Sequence, residues 1–285
     1  MKVLVTGANG TLGSEVVRHL RAVGHAVRAH DRAAGWDGGT RGSGTLDSRG
    51  EEGGDLRDRG VAEGVVAGVD VVVHAAAIPE PLSHPAHETF GNNVESTYNV
   101  LAAAGRAGVD RVVYVSSASA FGFAWSARGV SPLRVPVTDD HPYVGDDVYG
   151  LSKQVGELVA ATASRSFDMT VVSLRFPFIG AGERLRRHLA PIHADPGVDR
   201  SGLWAWLHTA DAARAIGAAL TADLSGSPVV TVAAPDTTSR EHTANLLRRY
   251  HPATMIEREP AGFETVFEVE RGYDLLGFRP EHGWR

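Results

Sequence analysis

A doubly wound, parallel α/β sheet followed by a small C-terminal lobe is the fold this sequence predicts, on three observations. Short apolar runs of strand character alternate with stripes of helical period through the first half of the chain. A glycine-rich turn joins the first such run to the first helical stripe. The 285 residues exceed the roughly 150 of an average domain, enough for one large unit with an appended lobe.

Lys2 to Thr6 reads as a buried strand. From Thr11 to Val23 the apolar positions Leu12, Val16, Leu20 and Val23 fall on one helical face, and Gly24 stands where a helix end favours a left-handed residue. His25 to His30 reads as the second strand, and further strands are predicted at Val69 to His74, Arg111 to Ser116, Met169 to Leu174 and Pro228 to Ala233. Helices are predicted near Glu88 to Ala107, Tyr149 to Ser164 and Ala210 to Ala222. Gly35 to Gly54 holds 8 glycines and no β-branched run, so a mobile loop is expected there. Ala118 to Val148 and Phe176 to Leu203 lack a strong period, and each follows a predicted strand. Ligands of open α/β sheets bind beyond the carboxyl ends of the strands, so these two segments are expected near a site.

Composition excludes several functions. A net charge of −6 without a basic block argues against a nucleic-acid or anionic-membrane surface. The absence of cysteine removes disulfides, thiol catalysis and Cys-ligated metal. No apolar run is long enough to span a bilayer, and a strand that starts at residue 2 leaves no room for a signal peptide, so a soluble, cytoplasmic protein is expected. His84 and His87 flank Pro85-Ala86 without a third ligand nearby, which reads as loop rather than metal site.

The turn after the first strand is Thr6-Gly7-Ala8-Asn9-Gly10-Thr11-Leu12-Gly13. Its glycines allow a tight turn, close approach of backbone to a pyrophosphate and packing of helix on strand, while the helix N-terminus offers free N–H groups. Asp31, at the end of the second strand, is placed to accept from the adenosine ribose hydroxyls and to repel a 2′-phosphate, which points to NAD. Arg32 leaves NADP open, since it could pair with that phosphate.

Tyr149 and Lys153, four apart, share one helix face. An ammonium group close to a phenol favours the phenolate, so Lys153 is expected to lower the pKa of Tyr149 and make it a general acid/base. Upstream, Ser116 and Ser117 place hydroxyls at a strand end where a substrate carbonyl could be held.

At these residues the chain resembles the extended short-chain dehydrogenase/reductase superfamily, in its NAD-dependent epimerase/dehydratase family. The resemblance runs in order through Gly7, Gly10 and Gly13; Asp31; Gly54-Asp55-Leu56; His74-Ala75-Ala76-Ala77; Asn93 to Thr97; Ser116-Ser117; Tyr149 with Lys153; Leu174-Arg175; and Leu207 to Asp211. It implies a Rossmann dinucleotide-binding domain over residues 1–175, with a strand and helix near 207–233 returning to it, and a mainly substrate-binding lobe over 176–285. It further implies that Asp55 and Leu56 flank the adenine and that Ala75, Ala76 and Ala77 line the cofactor cleft. Asn93 would sit near the cofactor and the lysine, Ser117 would be the catalytic hydroxyl, Lys153 would also hold the nicotinamide ribose, and the protein would be a homodimer. The expected cofactor contacts are thus Gly7, Asn9, Gly10, Thr11, Leu12, Gly13, Asp31, Arg32, Asp55, Leu56, Ala75 to Ala77, Asn93, Ser116, Tyr149 and Lys153.

Departures from the family pattern narrow the reaction. Dehydratases of the family carry an acidic pair after the catalytic hydroxyl, where this chain has Ala118, Ser119 and Ala120. Nucleotide-sugar epimerases carry an asparagine where this chain has Phe178, and the stretch after Arg175 is short. The chain is similar to uronate dehydrogenases in that compact C-terminal part and in Leu203-Trp204-Ala205-Trp206-Leu207. Trp125, Trp204 and Trp206 could line a cleft or fill a core. Arg175 and Arg200 are candidate substrate contacts, and Arg184, Arg186, Arg187 and His188 could be a solvated helix face or part of the substrate wall. His208 and Asp211 read as anchors of a helix start.

The expectation is hydride transfer between nicotinamide and a secondary alcohol or ketone of a small sugar-like or hydroxy-acid substrate, with Ser117, Tyr149 and Lys153 as catalytic residues. Two alternatives remain: an epimerase that keeps its NAD tightly bound, and a non-catalytic NAD(P)-sensing protein.

Overall fold

The computed structural model describes residues 1–32 and 53–285, so residues 35–52 of the expected glycine-rich loop lie outside the described residues. In chain order the elements are β1 (Lys2–Thr6), α1 (Thr11–Ala22), β2 (Ala26–His30), α2 (Arg59–Val66), β3 (Val71–His74), α3 (Ala86–Arg106), β4 (Arg111–Ser117) and β5 (Arg134–Val135). Then come α4 (Val148–Phe167), β6 (Thr170–Phe176), β7 (Phe178–Gly180), α5 (Gly182–Ala194), β8 (Trp206–His208) and α6 (Thr209–Ala219). The chain ends with β9 (Val229–Thr231), α7 (Thr243–Tyr250), β10 (Met255–Ile256) and α8 (Glu270–Leu276).

The main sheet has the order β2-β1-β3-β4-β6-β9, all neighbours parallel. Its strands are apolar on both faces because helices cover both. Val3 and Val5 of β1 join one core with Val16, Leu20 and Ile216, while Leu4 between them joins the other with Leu101 and Val112. The same alternation splits Val72 from Val71 and Val73 on β3. Helices α1 and α6 pack on the first face, and α2, α3 and α4 pack against one another on the second.

β1 has β2 on one side and β3 on the other, so the chain reverses direction across the sheet at this point. The crevice such a reversal opens lies at the carboxyl ends of β1 and β3, where the glycine turn emerges. β9 lies beside β6 at the far edge, and Tyr273 of α8 donates to the Ala233 carbonyl just beyond it. Two small parallel sheets pair β7 with β8 and β5 with β10, and Phe178 and Ile179 of β7 line the crevice.

Phe176 to Leu203, which lacks a strong period in the sequence, carries β7, α5 and a 3-10 turn at Pro196–Gly202. Helix α5 escapes a periodicity reading because Pro191 sits inside it and its packed stripe is only Leu185, Leu189 and Ile192. Trp204 and Trp206 are fully buried, with indole N–H groups bonded to the Pro196 carbonyl and to Asp236, so they fill the lobe's core. His208 caps α6 by accepting from the Ala210 amide, and Asp211 ties that helix to His282 while pairing with Arg214 one turn along the same helix. Among the described residues, no helix is long and apolar enough to cross a membrane.

Candidate active site

A cleft of about 1110 Å³ runs from the carboxyl ends of β1 and β2 across β4 to β7, α5 and the 3-10 turn at Pro196–Gly202. At one end lies the glycine turn, whose three glycines do different work. Gly7 has φ +70°, and a Cβ there would stand 2.7 Å from the Ala76 nitrogen and 2.8 Å from the Ala75 oxygen. It therefore lets the turn lie directly on the segment after β3. A Cβ on Gly13 would stand 2.0 Å from the Gly7 oxygen, so that glycine seats α1 on the turn. Gly10 lines the cleft at the N-terminus of α1, an end with no side-chain cap and no acidic residue in its first turn. Backbone N–H groups at a positive dipole end, with no carboxylate in the helix's own first turn, suit a pyrophosphate.

Asp31 follows β2, and its Oδ2 accepts from the Asn9 amide at 2.9 Å, which fixes the carboxylate beside the turn. Arg32 lines the cleft next to it and is exposed. Asp55 turns its carboxylate to Arg57, with Nε to Oδ2 at 2.9 Å, and this pairing lowers its pKa. Asn9, Thr11, Leu12, Leu56 and Ala75 to Ala77 also face the cleft. These residues fit a dinucleotide: a turn too tight for side chains, bare amides, and a carboxylate at the end of the second strand.

Asn93 is not among the residues that line the cleft. It is buried, accepts from the Ile78 amide at 2.8 Å, and donates to the Ile78 carbonyl and to the Ser152 hydroxyl at 3.0 and 3.1 Å. Its amide thereby clasps the segment after β3 to the helix that carries Lys153, so it acts on the site as a brace.

Ser117, Tyr149 and Lys153 meet in the middle of the cleft. Ser117 ends β4, and its Oγ accepts from the Ser119 amide at 3.1 Å, starting the 3-10 turn that follows. Helix α4 begins against that turn, capped by Asp147, whose Oδ1 accepts from the Gly150 amide at 2.7 Å. A Cβ on Gly150 would stand 2.5 Å from the Ser119 oxygen, so glycine there brings Tyr149 up to Ser117. Lys153 is buried, and its Nζ donates to the Val115 carbonyl at 2.8 Å and stands 5.8 Å from the centre of the Tyr149 ring.

The electrostatics correct one expectation. Burial pushes Tyr149 up to about 12, with hydrogen bonding to Ser117 pulling the other way, so in the protein alone the phenol lies above its ordinary range rather than below it. Burial likewise takes Lys153 down to about 8, opposed by Glu157. Both groups are desolvated together, and the ammonium is spent on a backbone carbonyl, so in the protein alone desolvation of the phenol wins. Ser116 lines the cleft too, but its hydroxyl donates to Glu157 Oε1 at 2.6 Å.

Beyond Ser117 the cleft is walled by Phe123, Trp125, Phe176, Phe178 and Phe267, with Arg184, His188, Asp199 and Ser201 among its polar residues. The two arginines expected to contact substrate are not among the lining residues. Arg175 is buried and held by Glu157, the Asp139 carbonyl and the face of Phe121, so its guanidinium belongs to the core. Arg200 is exposed on the 3-10 turn, where its carbonyl accepts from His251. Arg184 and His188, one helical turn apart on α5, face the cleft instead, while Arg186 and Arg187 pair with Glu183 in solvent. Sequence reading missed Asp199 altogether. The spacing of four between 184 and 188 was the available clue to the other two. Among the described residues no group of three or more His, Cys, Asp or Glu is placed to share a metal ion.

The model of the NAD dependent epimerase/dehydratase family matches residues 3–233. A sterol demethylase protein B of Methylococcus capsulatus is 37% identical over 176 residues, 61% of this chain and 50% of that protein. A uronate dehydrogenase of Pseudomonas syringae pv. tomato is 30% identical over 175 residues, 61% of this chain and 58% of that protein. The chain thus matches only about half the length of these two relatives. A UDP-glucose 4-epimerase of Corynebacterium glutamicum is 27% identical over 99% of this chain and 92% of its own. Among solved structures, a short-chain dehydrogenase/reductase superfamily protein from Agrobacterium tumefaciens with bound NAD superposes with a TM-score of 0.72 at 25% identity, covering 99% of this chain and 93% of that one.

Proposed function

This chain belongs to the NAD dependent epimerase/dehydratase family, and we propose that within it the protein is a net oxidoreductase acting on a secondary alcohol or ketone of a small sugar-like or hydroxy-acid substrate. It is an enzyme family, and NAD is its cofactor. The observation that carries the proposal is that Ser117, Tyr149 and Lys153 line one cleft together with the glycine turn and Asp31 on one side and Phe178, His188 and Asp199 on the other.

Bound NAD supplies a hydride acceptor at C4 of its nicotinamide. The protein's part is to orient the substrate and move one proton. Ser117 Oγ, at the end of β4, donates to the reacting oxygen as it gains carbonyl character. Tyr149 removes the hydroxyl proton, and the Lys153 ammonium, 5.8 Å from the centre of its ring, is the positive charge at hand to favour the phenolate. The 3-10 turn after Ser117 is Ala118–Phe121 and offers no carboxyl for elimination of water.

A second reading, an epimerase with tightly held NAD, is favoured by the full-length match to the UDP-glucose 4-epimerase. Against it, Phe178 stacks on His188 with ring centres 3.6 Å apart, filling space where a sugar diphosphate contact is expected. A panel of sugars, uronates and hydroxyketones, read at the nicotinamide absorbance band with NAD and with NADP, separates the two. Net cofactor turnover supports the oxidoreductase. Isomerised product without turnover, from protein that keeps NAD through purification, supports the epimerase. A homodimer and a cytoplasmic location remain part of the proposal.

A further inference from the structure

Beyond Ser117 the cleft ends at two polar side chains, each with one buried atom that no group among the described residues satisfies. His188 Nε2 and Asp199 Oδ2 face each other across 3.8 Å, too far for a hydrogen bond, and both atoms are shut off from solvent without a partner. Both residues line the cleft. His188 cannot swing away easily, since its ring lies flat on Phe178, the planes 12° apart. Asp199 is set in the 3-10 turn where only a glycine leaves room for its carboxyl: a Cβ on Gly202 would stand 2.3 Å from Oδ1.

The two are not an ion pair. Burial, with Arg184 nearby, takes His188 down to about 4, and burial raises Asp199 to about 7. Burial thus disfavours the charged form of each group. Together they offer a donor and acceptors with no internal claim on them. Buried polar atoms in folded proteins find partners, and where the protein supplies none, a ligand filling the same space can.

We infer that Asp199 and His188 read neighbouring hydroxyl groups of a polyhydroxylated substrate, with Phe178 holding the imidazole in place. The inference deepens the proposed function and rests on it for placing substrate at this end of the cleft. A largely apolar substrate, such as a sterol, would fill it and leave both groups unpaired. A cationic substrate would meet Arg184 and Lys153, the basic residues lining this end of the cleft. A hydroxyl both donates and accepts, so adjacent hydroxyls match a carboxyl and an imidazole whichever of the two holds a proton.

The test is calorimetric titration of the protein loaded with NADH, which cannot oxidise an alcohol. The probes are D-galactose, D-glucuronate, myo-inositol, 2-deoxy-D-galactose, D-glucosamine and cyclohexanol. At least one of the first three should bind. Asp199→Ala and His188→Ala should each weaken it about tenfold or more, with NADH affinity unchanged, and Asp199→Asn should fall between, which separates lost recognition from a damaged turn. The inference is overturned if no polyol binds, if Asp199→Ala binds polyols as well as the wild type, or if cyclohexanol or glucosamine binds best. A polyol that binds but is never oxidised counts against the proposed reaction and leaves this inference standing. A polyol oxidised equally well by Asp199→Ala removes this inference alone.

Discussion

Arg175 grips Glu157 with both arms, Nε to Oε1 at 2.8 Å and Nη2 to Oε2 at 2.6 Å, and each side chain is only 5% exposed. Ser116 adds a third bond to the same carboxylate. Glu157 lies one turn along α4 from Lys153, so the pair also anchors the helix that carries the site.

Arg175→Ala should therefore act on stability. Removing one partner of a buried pair strands the other, at about 3–5 kcal/mol. Denaturant unfolding checks this, and a loss below about 1 kcal/mol would place Arg175 outside the core's essential contacts.

His74 should make the protein acid-sensitive. Its ring is buried between Thr6 Oγ1 at 2.8 Å and Thr97 Oγ1 at 3.2 Å, and burial lowers it from 6.5 to about 3. The unfolded chain takes up a proton near 6.5 and the native one does not. Stability is thus full above pH 6.5 and is lost as pH falls towards 3, on the order of 4 kcal/mol for this group. Unfolding free energies measured across that range should slope less steeply in His74→Gln, and an unchanged slope would assign the acid sensitivity to other groups.

The Asp31 carboxylate, pinned beside the turn by Asn9, should make NAD bind more tightly than NADP. Replacing it with Ala should shrink that preference about tenfold or more, as read by titrating both cofactors. Tighter NADP binding by the wild type would mean that Arg32 governs this end of the cleft.

Incubation with nucleotide sugars should give no 4-keto-6-deoxy product, because Ala118, Ser119 and Ala120 supply no acid after Ser117. Mass spectrometry reads the loss of water directly, and finding it would mean that another group, Asp199 foremost, delivers the proton.

The sheet and the cofactor end were legible in the sequence because their causes are local. β1 spans Lys2–Thr6 as read, and α1 starts at Thr11 as read, since strand apolarity and the glycine turn are contiguous features. Helix α2 went unread: it has only 8 residues, with Gly60 and Gly64 among them, and its cap by Asp58 is visible only once the fold is known. The substrate end was least legible. Arg175 and Arg200 carry the right charge, but which arginine meets the cleft depends on Glu157 claiming the first and on the 3-10 turn exposing the second. Asp199 has no motif around it, and its chemistry comes from burial by elements distant in sequence.

The central claim is that Tyr149 moves the proton in a net hydride transfer. The most direct measurement is kcat of Tyr149→Phe beside wild type on the best substrate of the panel, followed at the nicotinamide band, with NAD affinity measured on both. The account predicts a loss of about 10² to 10⁴ in kcat with NAD affinity nearly unchanged. A Phe variant that keeps more than about a tenth of the wild-type rate would contradict it.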